Sequence, residues 1–319
     1  MSSRRPTPSS ASVTGPIGLE MGNDELRMIQ LVRQPDGIHL AAQALLPCPG
    51  GCDSLLAAPG ELGRTLKETL RAHGFRGRDV VTCLRPSQVR ITMLNYVVPA
   101  GRNSEQIIVQ RMAERVDGPL TDYVLDYVPV RVDVREGQEH SALVAAARRE
   151  HVIDYLESLR KAGLSVKALD IGPLAIRRLV TAAQHSHDHD HDNILIITLG
   201  QAHTYMTVLS GRRLIFDRDI SFGEHRLIRH LGSELDIDDH TASRLLRDHG
   251  LRAGDGNSDE LAATVVEVLK PLFVELRTDI NKAMVYAASE THGNSVRRIY
   301  LTGGVAEWKG IERLLGDLL

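Results

Sequence analysis

Residues 17–31 read Ile-Gly-Leu-Glu-Met-Gly-Asn-Asp-Glu-Leu-Arg-Met-Ile-Gln-Leu, two short apolar runs on either side of a glycine turn. A third apolar run, residues 38–46, follows the turn-forming triplet Pro-Asp-Gly at 35–37. Short apolar runs separated by glycine, proline and aspartate predict β-strands joined by tight turns. We therefore predict that the ordered part of the chain begins with a three-stranded meander whose first turn is built on glycine.

The same pattern returns in the second half of the chain. Residues 194–200 form an apolar run that ends in glycine, residues 204–209 form the next run, and residues 214–219 follow a Ser-Gly turn. A supersecondary unit that occurs twice in one chain indicates two similar domains. Because helical patterns separate the strands in both halves, we predict an α/β protein with duplicated domains.

The segments between and after the two meanders have patterns of their own. Leu62, Leu66 and Leu70 lie four residues apart and predict an amphipathic helix over 60–72. Helical patterns continue to about residue 288 and contain an apolar stripe from Val265 to Met284, in which Pro271 predicts a kink or a helix start. A last helix is expected from Glu307. The expected division is a disordered N-terminus at 1–14, a first domain at 15–85 and 164–192, an inserted α+β subdomain at 86–163 that includes a helix at 152–159, and a second domain at 193–319 with a helical subdomain at about 224–290.

The composition excludes several classes of function. The formal net charge of −3 gives no long-range attraction for nucleic acid or for an anionic membrane surface. No run approaches the roughly 18–20 apolar residues that a membrane-spanning helix needs, and the N-terminus lacks the apolar core of a secretory signal. Three cysteines, Cys48, Cys52 and Cys83, cannot all pair with one another, which favours a reducing compartment. We predict a cytoplasmic protein with no nucleic-acid partner and no direct membrane insertion.

Glycine turns at the ends of apolar strands can hold the phosphates of a nucleotide. Glycine lets the backbone approach a phosphate closely, and the N–H groups of such a turn can point at it. Two turns of this kind, at Gly22 and Gly200, can grip a nucleotide from opposite sides. A third pair, Gly303 and Gly304, follows a late strand and can lie against an adenosine. Each turn alone also fits a plain hairpin, but all three in this order indicate a nucleotide-binding fold.

The three glycine segments resemble the nucleotide motifs of one family. Residues 17–31 look like the first phosphate loop of the PilM family, residues 196–223 are similar to its second phosphate loop, and residues 300–306 resemble its adenosine motif. The resemblance spans about residues 15–319. It implies the actin-like (ribonuclease H-like) fold of the actin and FtsA superfamily, with ATP and Mg²⁺ as cofactors. The positions that it assigns to nucleotide binding are Glu20, Gly22, Asn23, Asp24, Arg27, Gly200, Gln201, Gly223, Glu275, Gly303 and Gly304.

This chain departs from the family pattern around the phosphates and the metal. Glu20 stands where the family has aspartate, residues 23–25 replace a run of serines, and Arg27 replaces a lysine. Thr198 stands where the family has the aspartate that holds Mg²⁺ through water, and a neutral hydroxyl cannot anchor a hydrated divalent ion as a carboxylate does. We predict weakened or lost ATP hydrolysis, with no catalytic residue and no protein metal ligand assigned. A cleft kept as a scaffold without nucleotide is the open alternative, and Glu275 also fits a plain surface acid.

Two further motifs contain residue types that bind metals. Residues 185–192 alternate histidine with serine and aspartate, which predicts a solvated loop, with adventitious zinc or nickel binding as the lesser alternative. Cys48 and Cys52 lie close together but have no second pair to complete a zinc site. We predict a tight turn there, with a redox or metal role as the lesser alternative. Cys83 lies in an apolar run and is expected to be a core residue.

The resemblance implies an assembly protein rather than a stand-alone enzyme. PilM lies under the inner membrane and holds the short cytoplasmic tail of PilN, so a PilN-like tail and other pilus platform proteins are the expected partners. The groove expected to hold the tail lies between the first domain and the inserted one, around residues 86–165. A related type II secretion platform protein and a polymerising protein like FtsA remain alternatives. A sugar or acyl kinase of the same superfamily is a further alternative, but it needs Mg²⁺-bound ATP and a carboxylate base.

Overall fold

The computed structural model describes residues 12–130, 139–183, 192–251 and 260–319, and the chain divides into two compact units, 1–175 and 176–319. The strands are β1 Val13–Met21, β2 Glu25–Gln34, β3 Gly37–Pro47, β4 Asp79–Cys83, β5 Val89–Val97, β6 Tyr123–Pro129, β7 Glu139–Arg148, β8 Ser165–Asp170, β9 Asn193–Leu199, β10 Thr204–Ser210, β11 Arg213–Ile220 and β12 Val296–Thr302. The helices are α1 Cys52–Ala57, α2 Pro59–Ala72, α3 Ser104–Ala113, α4 Arg149–Lys161, α5 Gly172–Ala183, α6 Glu224–Leu235, α7 Asp239–His249, α8 Glu260–Glu290 and α9 Ile311–Leu318.

The first unit is built on a five-stranded sheet with the order β3-β2-β1-β4-β8. The meander β1–β2–β3 is antiparallel, whereas β4 and β8 join it in parallel. Successive side chains of a strand point to opposite faces, and one face of this sheet carries the core. Ile17, Leu19 and Met21 of β1 are at most 3% exposed, and the leucines of α2 predicted to form its apolar side pack in the same cluster. The predicted first meander and the helix at 60–72 are confirmed.

A smaller sheet with the order β5-β7-β6 lies between β4 and α4 in the chain. All its pairings are antiparallel. Its own core contains Leu94, Ile108 and Met112, the last two from α3. That helix begins at a capping box in which the Asn103 side chain accepts from the backbone N–H of Gln106 at 2.9 Å.

The helix α4 packs on the larger sheet and also contacts β6 and β7 of the smaller one. Its buried side chains Val152, Tyr155 and Leu159 belong to the core of the five-stranded sheet. The Tyr155 hydroxyl also makes a buried 2.5 Å hydrogen bond with the hydroxyl of Thr82 on β4. This helix was predicted to close the inserted subdomain, and its contacts reach both sheets.

The second unit contains a four-stranded sheet with the order β11-β10-β9-β12, in which β12 runs parallel to β9. The long helix α8 contacts β10, β11 and β12. Pro271 lies inside α8, so the predicted helix start there is wrong. The helix expected from Glu307 begins later, at Ile311, because residues 304–307 form one tight 3₁₀ turn.

Cys48 and Cys52 form a disulfide, which was not predicted. The segment between them is a tight turn, as predicted, in which the N–H of Gly51 donates to the carbonyl of Cys48 at 2.8 Å. Both cysteines are buried beside the core of the five-stranded sheet. The first strand begins at Val13, within the segment 1–14 expected to be disordered. The histidine tract at 185–191 lies outside the described residues. Within the described ranges, no helix is both long and apolar enough to cross a bilayer.

Candidate functional site

The first glycine turn joins β1 to β2 and is closed by its own backbone. The N–H of Gly22 donates to the carbonyl of Glu25 at 2.9 Å. A Cβ added at Gly22 would lie 2.8 Å from that carbonyl oxygen, so the turn admits no larger residue without moving. The predicted candidates Asn23 and Asp24 lie at the exposed tip of this turn. Glycine is therefore required here by the hairpin itself, with or without a ligand.

Carboxylates surround the one arginine of this turn. The guanidinium of Arg27 contacts Glu25 at 2.8 Å and Glu20 at 3.4 Å. Partial burial works against the charged form of Arg27, but the two carboxylates outweigh it, and the pKa of Arg27 is raised above its ordinary value. Glu20 and Arg27 were both predicted to bind the nucleotide, and they do lie together. However, Arg27 forms ion pairs with the carboxylates of Glu20 and Glu25. A phosphate that approached Arg27 would compete with both carboxylates.

The tip of the first glycine turn is held by the disulfide loop. The N–H of Cys48 donates to the carbonyl of Asp24, and the N–H of Cys52 donates to the carbonyl of Asn23, both at 2.7 Å. Between the two cysteines, Gly51 has a φ of 86° and its N–H donates to the Cys48 carbonyl at 2.8 Å. The position of the turn is therefore coupled to a covalently closed loop, a feature that the spacing of the cysteines alone did not indicate.

The second glycine turn joins β9 to β10 and contacts the start of α6. The N–H of Gly200 donates to the carbonyl of His203 at 3.0 Å. The carbonyls of Gly200 and Gln201 accept from the N–H groups of Glu224 and His225 at 3.0 and 2.9 Å. These two N–H groups belong to the first turn of α6, whose N-terminus carries a partial positive charge. Because both are already used by the turn, they cannot also bind a phosphate in this conformation.

Two further glycines let the backbone segments of this site touch. A Cβ at Gly223 would lie 2.5 Å from the carbonyl oxygen of Gln201. Gly303 has a φ of 89°, and a Cβ there would lie 2.3 Å from the carbonyl oxygen of Leu199. By contrast, the nearest atom to a Cβ at Gly304 is a carboxylate oxygen of Glu224 at 3.6 Å. The structure thus brings together the predicted candidates Gly200, Gln201, Gly223, Gly303 and Gly304 within the second unit.

Thr198 is paired with a second threonine. Its hydroxyl lies 2.8 Å from the hydroxyl of Thr302, which is its partner in the parallel pairing of β9 and β12. One of these hydroxyls donates to the other, and Thr198 is only partly buried. The position at which the family resemblance implies a carboxylate therefore carries a satisfied neutral pair. Thr302 could equally donate its hydrogen to a carboxylate at position 198, so the surroundings do not exclude aspartate.

Glu275 on α8 forms an ion pair with Arg226 on α6. The guanidinium of Arg226 donates to the carboxylate at 2.5 Å. Both side chains are largely exposed, so the pair contributes at most about 1 kcal/mol of stability. Arg226 also lies over the ring of Phe222, which precedes Gly223. Glu275 is therefore oriented toward the start of α6 by a cation that the sequence pattern did not single out.

A carboxyl group on β11 that the sequence did not indicate has a strongly raised pKa. Burial raises the pKa of Asp217 on β11 to about 6, and the charge of Asp219 adds to the effect. The hydroxyl of Thr207 donates to Asp217 at 2.6 Å and opposes part of the rise. No local sequence pattern could have indicated this, because the shift depends on how deeply the sheet buries the side chain.

In the ranges that the structure describes, no group of three or more His, Cys, Asp or Glu side chains is placed to hold a metal. Each unit instead presents a tight glycine turn at the end of its first strand, with carboxylates beside the turn in the first unit. Glycine turns can accommodate a phosphate chain, but the N–H groups of Gly22 and Gly200 donate to carbonyls of their own turns here.

Two α/β units that each open with a glycine-ended meander define the class of actin-like ATPase folds. The structure is similar to MreB5 of Spiroplasma citri bound to AMPPNP, with a TM-score of 0.50, 12% identity, and coverage of 98% of this chain and 90% of that one. It is also similar to the ethanolamine utilization protein EutJ from Carboxydothermus hydrogenoformans, with a TM-score of 0.53, 14% identity, and coverage of 99% and 84%. At these identities the likeness shows the fold alone, and the predicted actin-like fold class is confirmed.

The chain belongs to the family of type IV pilus assembly proteins PilM, whose family model matches residues 18–319. Among solved structures, a PilM–PilN type IV pilus biogenesis complex matches with a TM-score of 0.75 and 25% identity, over 95% of this chain and 85% of that one. The family that the glycine segments indicated is thus confirmed.

Proposed function

We propose that this chain is a cytoplasmic assembly protein of a type IV pilus machine, held at the inner membrane by the cytoplasmic tail of a PilN-like membrane protein. The observation that carries the proposal is the match to the PilM–PilN complex over 95% of the chain. A protein with this role works by binding, and it needs a groove for an extended peptide rather than a reacting centre.

The junction between the smaller sheet and α4 is the place where such a tail would bind. Arg149 at the start of α4 donates to the carbonyls of Thr121 and Tyr123 at 2.9 and 3.0 Å, which holds the smaller sheet on this helix. Two large apolar side chains near this junction remain exposed, Val124 on β6 at 38% and Ile153 on α4 at 47%. Exposed apolar side chains on rigid elements are typical anchor positions for an extended peptide.

Peptide binding tests this part of the proposal. A fluorescently labelled peptide with the cytoplasmic tail of the PilN-like partner should bind the full chain, and Ile153→Glu should weaken binding at least tenfold. The matched control is Val285→Glu on α8, where the side chain is 71% exposed in the second unit, and it should leave the affinity unchanged. Equal loss for both variants, or no binding by the unaltered protein, would contradict the proposal.

The glycine turns support a second part of the proposal, a nucleotide site with weak or lost hydrolysis. Thr198 supplies no carboxylate for hydrated Mg²⁺, and Arg27 is paired with Glu20 and Glu25. We expect calorimetric titration to show weak or absent binding of Mg²⁺-ATP to the unaltered chain. Thr198→Asp should raise the affinity, because a carboxylate there can accept from Thr302 and hold the hydrated ion.

Thr198→Asn separates charge from shape in this experiment. Asparagine has the size of aspartate and can accept the same hydrogen bond from Thr302, but it carries no charge. Only the aspartate variant should bind ATP more tightly than the unaltered chain, and only when Mg²⁺ is present. Rapid ATP hydrolysis by the unaltered chain would refute the idea that position 198 limits the site.

A further inference from the structure

The disulfide between Cys48 and Cys52 closes a short loop directly against the first glycine turn. The carbonyls of Asn23 and Asp24, at the tip of the turn, accept from the N–H groups of Cys52 and Cys48, both at 2.7 Å. A Cβ added at Gly51 would lie 3.5 Å from the carbonyl oxygen of Asn23, so the backbone of the loop is also in van der Waals contact with the turn. Two covalently joined residues therefore hold the two residues at the tip.

The two ends of this loop are held by different parts of the first unit. Cys48 directly follows β3, whose last residue, Pro47, is still paired with β2. Cys52 is the first residue of the short helix α1, which is fastened by an ion pair between Asp53 and Arg85. The sheet therefore fixes the Cys48 end, and the disulfide is the covalent link between α1 and that end.

We propose that the Cys48–Cys52 disulfide is a reversible thiol–disulfide site whose reduction releases the tip of the first glycine turn. The inference rests on the proposed cytoplasmic function, because disulfides in cytoplasmic proteins are usually transient and serve catalysis or redox sensing. Cysteines that react with other proteins are partly exposed. Cys48 is 5% and Cys52 0% exposed, so the closed site fits regulation of this chain and not disulfide exchange with a protein substrate.

The reductant is a small thiol, and the reaction transfers two electrons from it to the disulfide. A thiolate of the reductant attacks the sulfur of Cys48, the less deeply buried of the pair, and the sulfur of Cys52 leaves as a thiolate. A second reductant thiolate then attacks the reductant's sulfur in this mixed disulfide and expels Cys48. The products are two cysteine thiols, which take up the two protons that the reductant thiols lost, and the disulfide of the reductant.

The loop can open to a small thiol without unfolding the sheet. Pro49 and Gly50 lie at its exposed surface. Two hydrogen bonds of 2.8 Å keep it closed, from the N–H of Gly51 to the carbonyl of Cys48 and from the hydroxyl of Ser54 to the carbonyl of Gly50. Neither bond belongs to a strand pairing. Openings that break few contacts cost much less free energy than global unfolding.

Reduction changes the loop because the two sulfur atoms are no longer bonded and must move apart. Both cysteines belong to the core that contains Leu19 and Met21 of β1, and a packed core has little room for such a movement. Because β3 fixes Cys48, we expect Cys52 to move and its hydrogen bond to Asn23 to break. The tip of the turn, which was predicted to bind nucleotide, then loses one of its two backbone anchors.

Thiol trapping in glutathione buffers tests whether the site is reversible. The full chain is equilibrated at a series of ratios of reduced to oxidised glutathione, quenched in acid and alkylated in denaturant. The chain has three cysteines, so mass spectrometry should count one alkylated cysteine in the oxidised form and three in the reduced form. We expect half-reduction where reduced glutathione is in excess, with a far-UV circular dichroism spectrum that shows a folded chain. A disulfide that stays closed at the most reducing ratio, or opens only in urea, would overturn the proposal.

Hydrogen–deuterium exchange tests whether the site is coupled to the turn. Reduction should speed exchange of the Cys52 amide at least tenfold, while the amides of β1 and the Gly200 amide of the second unit should exchange as before. The matched variant Cys48→Ser/Cys52→Ser should behave like the reduced chain, with and without reductant.

Two outcomes of the exchange experiment would contradict the proposal. Faster exchange throughout the first unit would mean that the disulfide only braces the fold, and unchanged exchange at Cys52 would mean that the turn is not coupled to it. Neither experiment uses ATP or the PilN-like peptide, so a failure here is distinct from a failure of the proposed function.

Discussion

Replacing Asp217 by asparagine should stabilise the second unit at neutral pH and leave its stability nearly unchanged in acid. Burial raises the pKa of the Asp217 carboxyl from 3.8 to about 6, so ionisation costs more in the folded chain than in the unfolded one. Asparagine removes that cost. Its side-chain oxygen can still accept the 2.6 Å hydrogen bond that Thr207 now donates to the carboxylate.

The sign and size of this change in stability follow from proton linkage. Between about pH 4 and pH 6 the folded chain keeps the Asp217 proton that the unfolded chain has lost, so stability falls as the pH rises through this window. A shift of about two pH units corresponds to about 3 kcal/mol at most. Because Asp217 is partly exposed, we expect asparagine to gain about 1–3 kcal/mol above pH 7.

Urea unfolding followed by tryptophan fluorescence measures the stability of the second unit, which contains Asp217. Trp308, the only tryptophan of the chain, lies in the second unit and is 5% exposed. The difference in unfolding free energy between variant and unaltered chain should grow from near zero at pH 4 to its full value above pH 7. The control Asp219→Asn removes a charge from a largely exposed side chain on the same strand. Its effect on the unfolding free energy should depend much less on pH. A difference that is independent of pH would refute the reasoning.

Two further predictions concern the glycine turns. Reduction of the Cys48–Cys52 disulfide, which lies in the first unit, should lower stability by about 2 kcal/mol, from the loop-closure entropy of a five-residue loop. Cys48→Ala/Cys52→Ala should show no response to reductant in a urea titration followed by far-UV circular dichroism, which reports on both units. Gly303→Ala should cost more than about 2 kcal/mol by Trp308 fluorescence, since it combines a positive φ with a Cβ placed 2.3 Å from a carbonyl oxygen, whereas Gly304→Ala should cost clearly less.

The sequence predicts the meanders well because the residues that form each strand and turn are close together in the chain. Gly22 and Gly200 each follow an apolar run, and the turn chemistry of glycine fixes where each strand ends. The family could also be predicted from the sequence, because its motifs are short and occur in a defined order. The existence of α4 follows from its periodicity in the same way, but the sheet that it covers depends on contacts that are distant in sequence.

The missed features of the candidate site are those that arise from close approach in three dimensions. The link between the turn at Asn23 and the loop at Cys52 is a backbone hydrogen bond, and such a bond does not depend on which side chains the two residues have. The partners of Arg27 and Glu275 were likewise not predictable, since an exposed ion pair depends on which long side chains happen to meet. The raised pKa of Asp217 depends on burial, which no local pattern records.

The crowding of backbone carbonyls around Gly200, Gly223 and Gly303 affects how related sequences are interpreted. At each position a methyl group would lie within 2.8 Å of a carbonyl oxygen, so folding alone selects for glycine. A lineage that had abandoned ATP would keep all three residues for as long as it kept the fold. These glycines therefore report on the fold and not on nucleotide use, whereas position 198, whose hydroxyl contacts that of Thr302, can also accept a carboxylate. Comparing residues at that position across the family would separate nucleotide-dependent members from those that work as scaffolds.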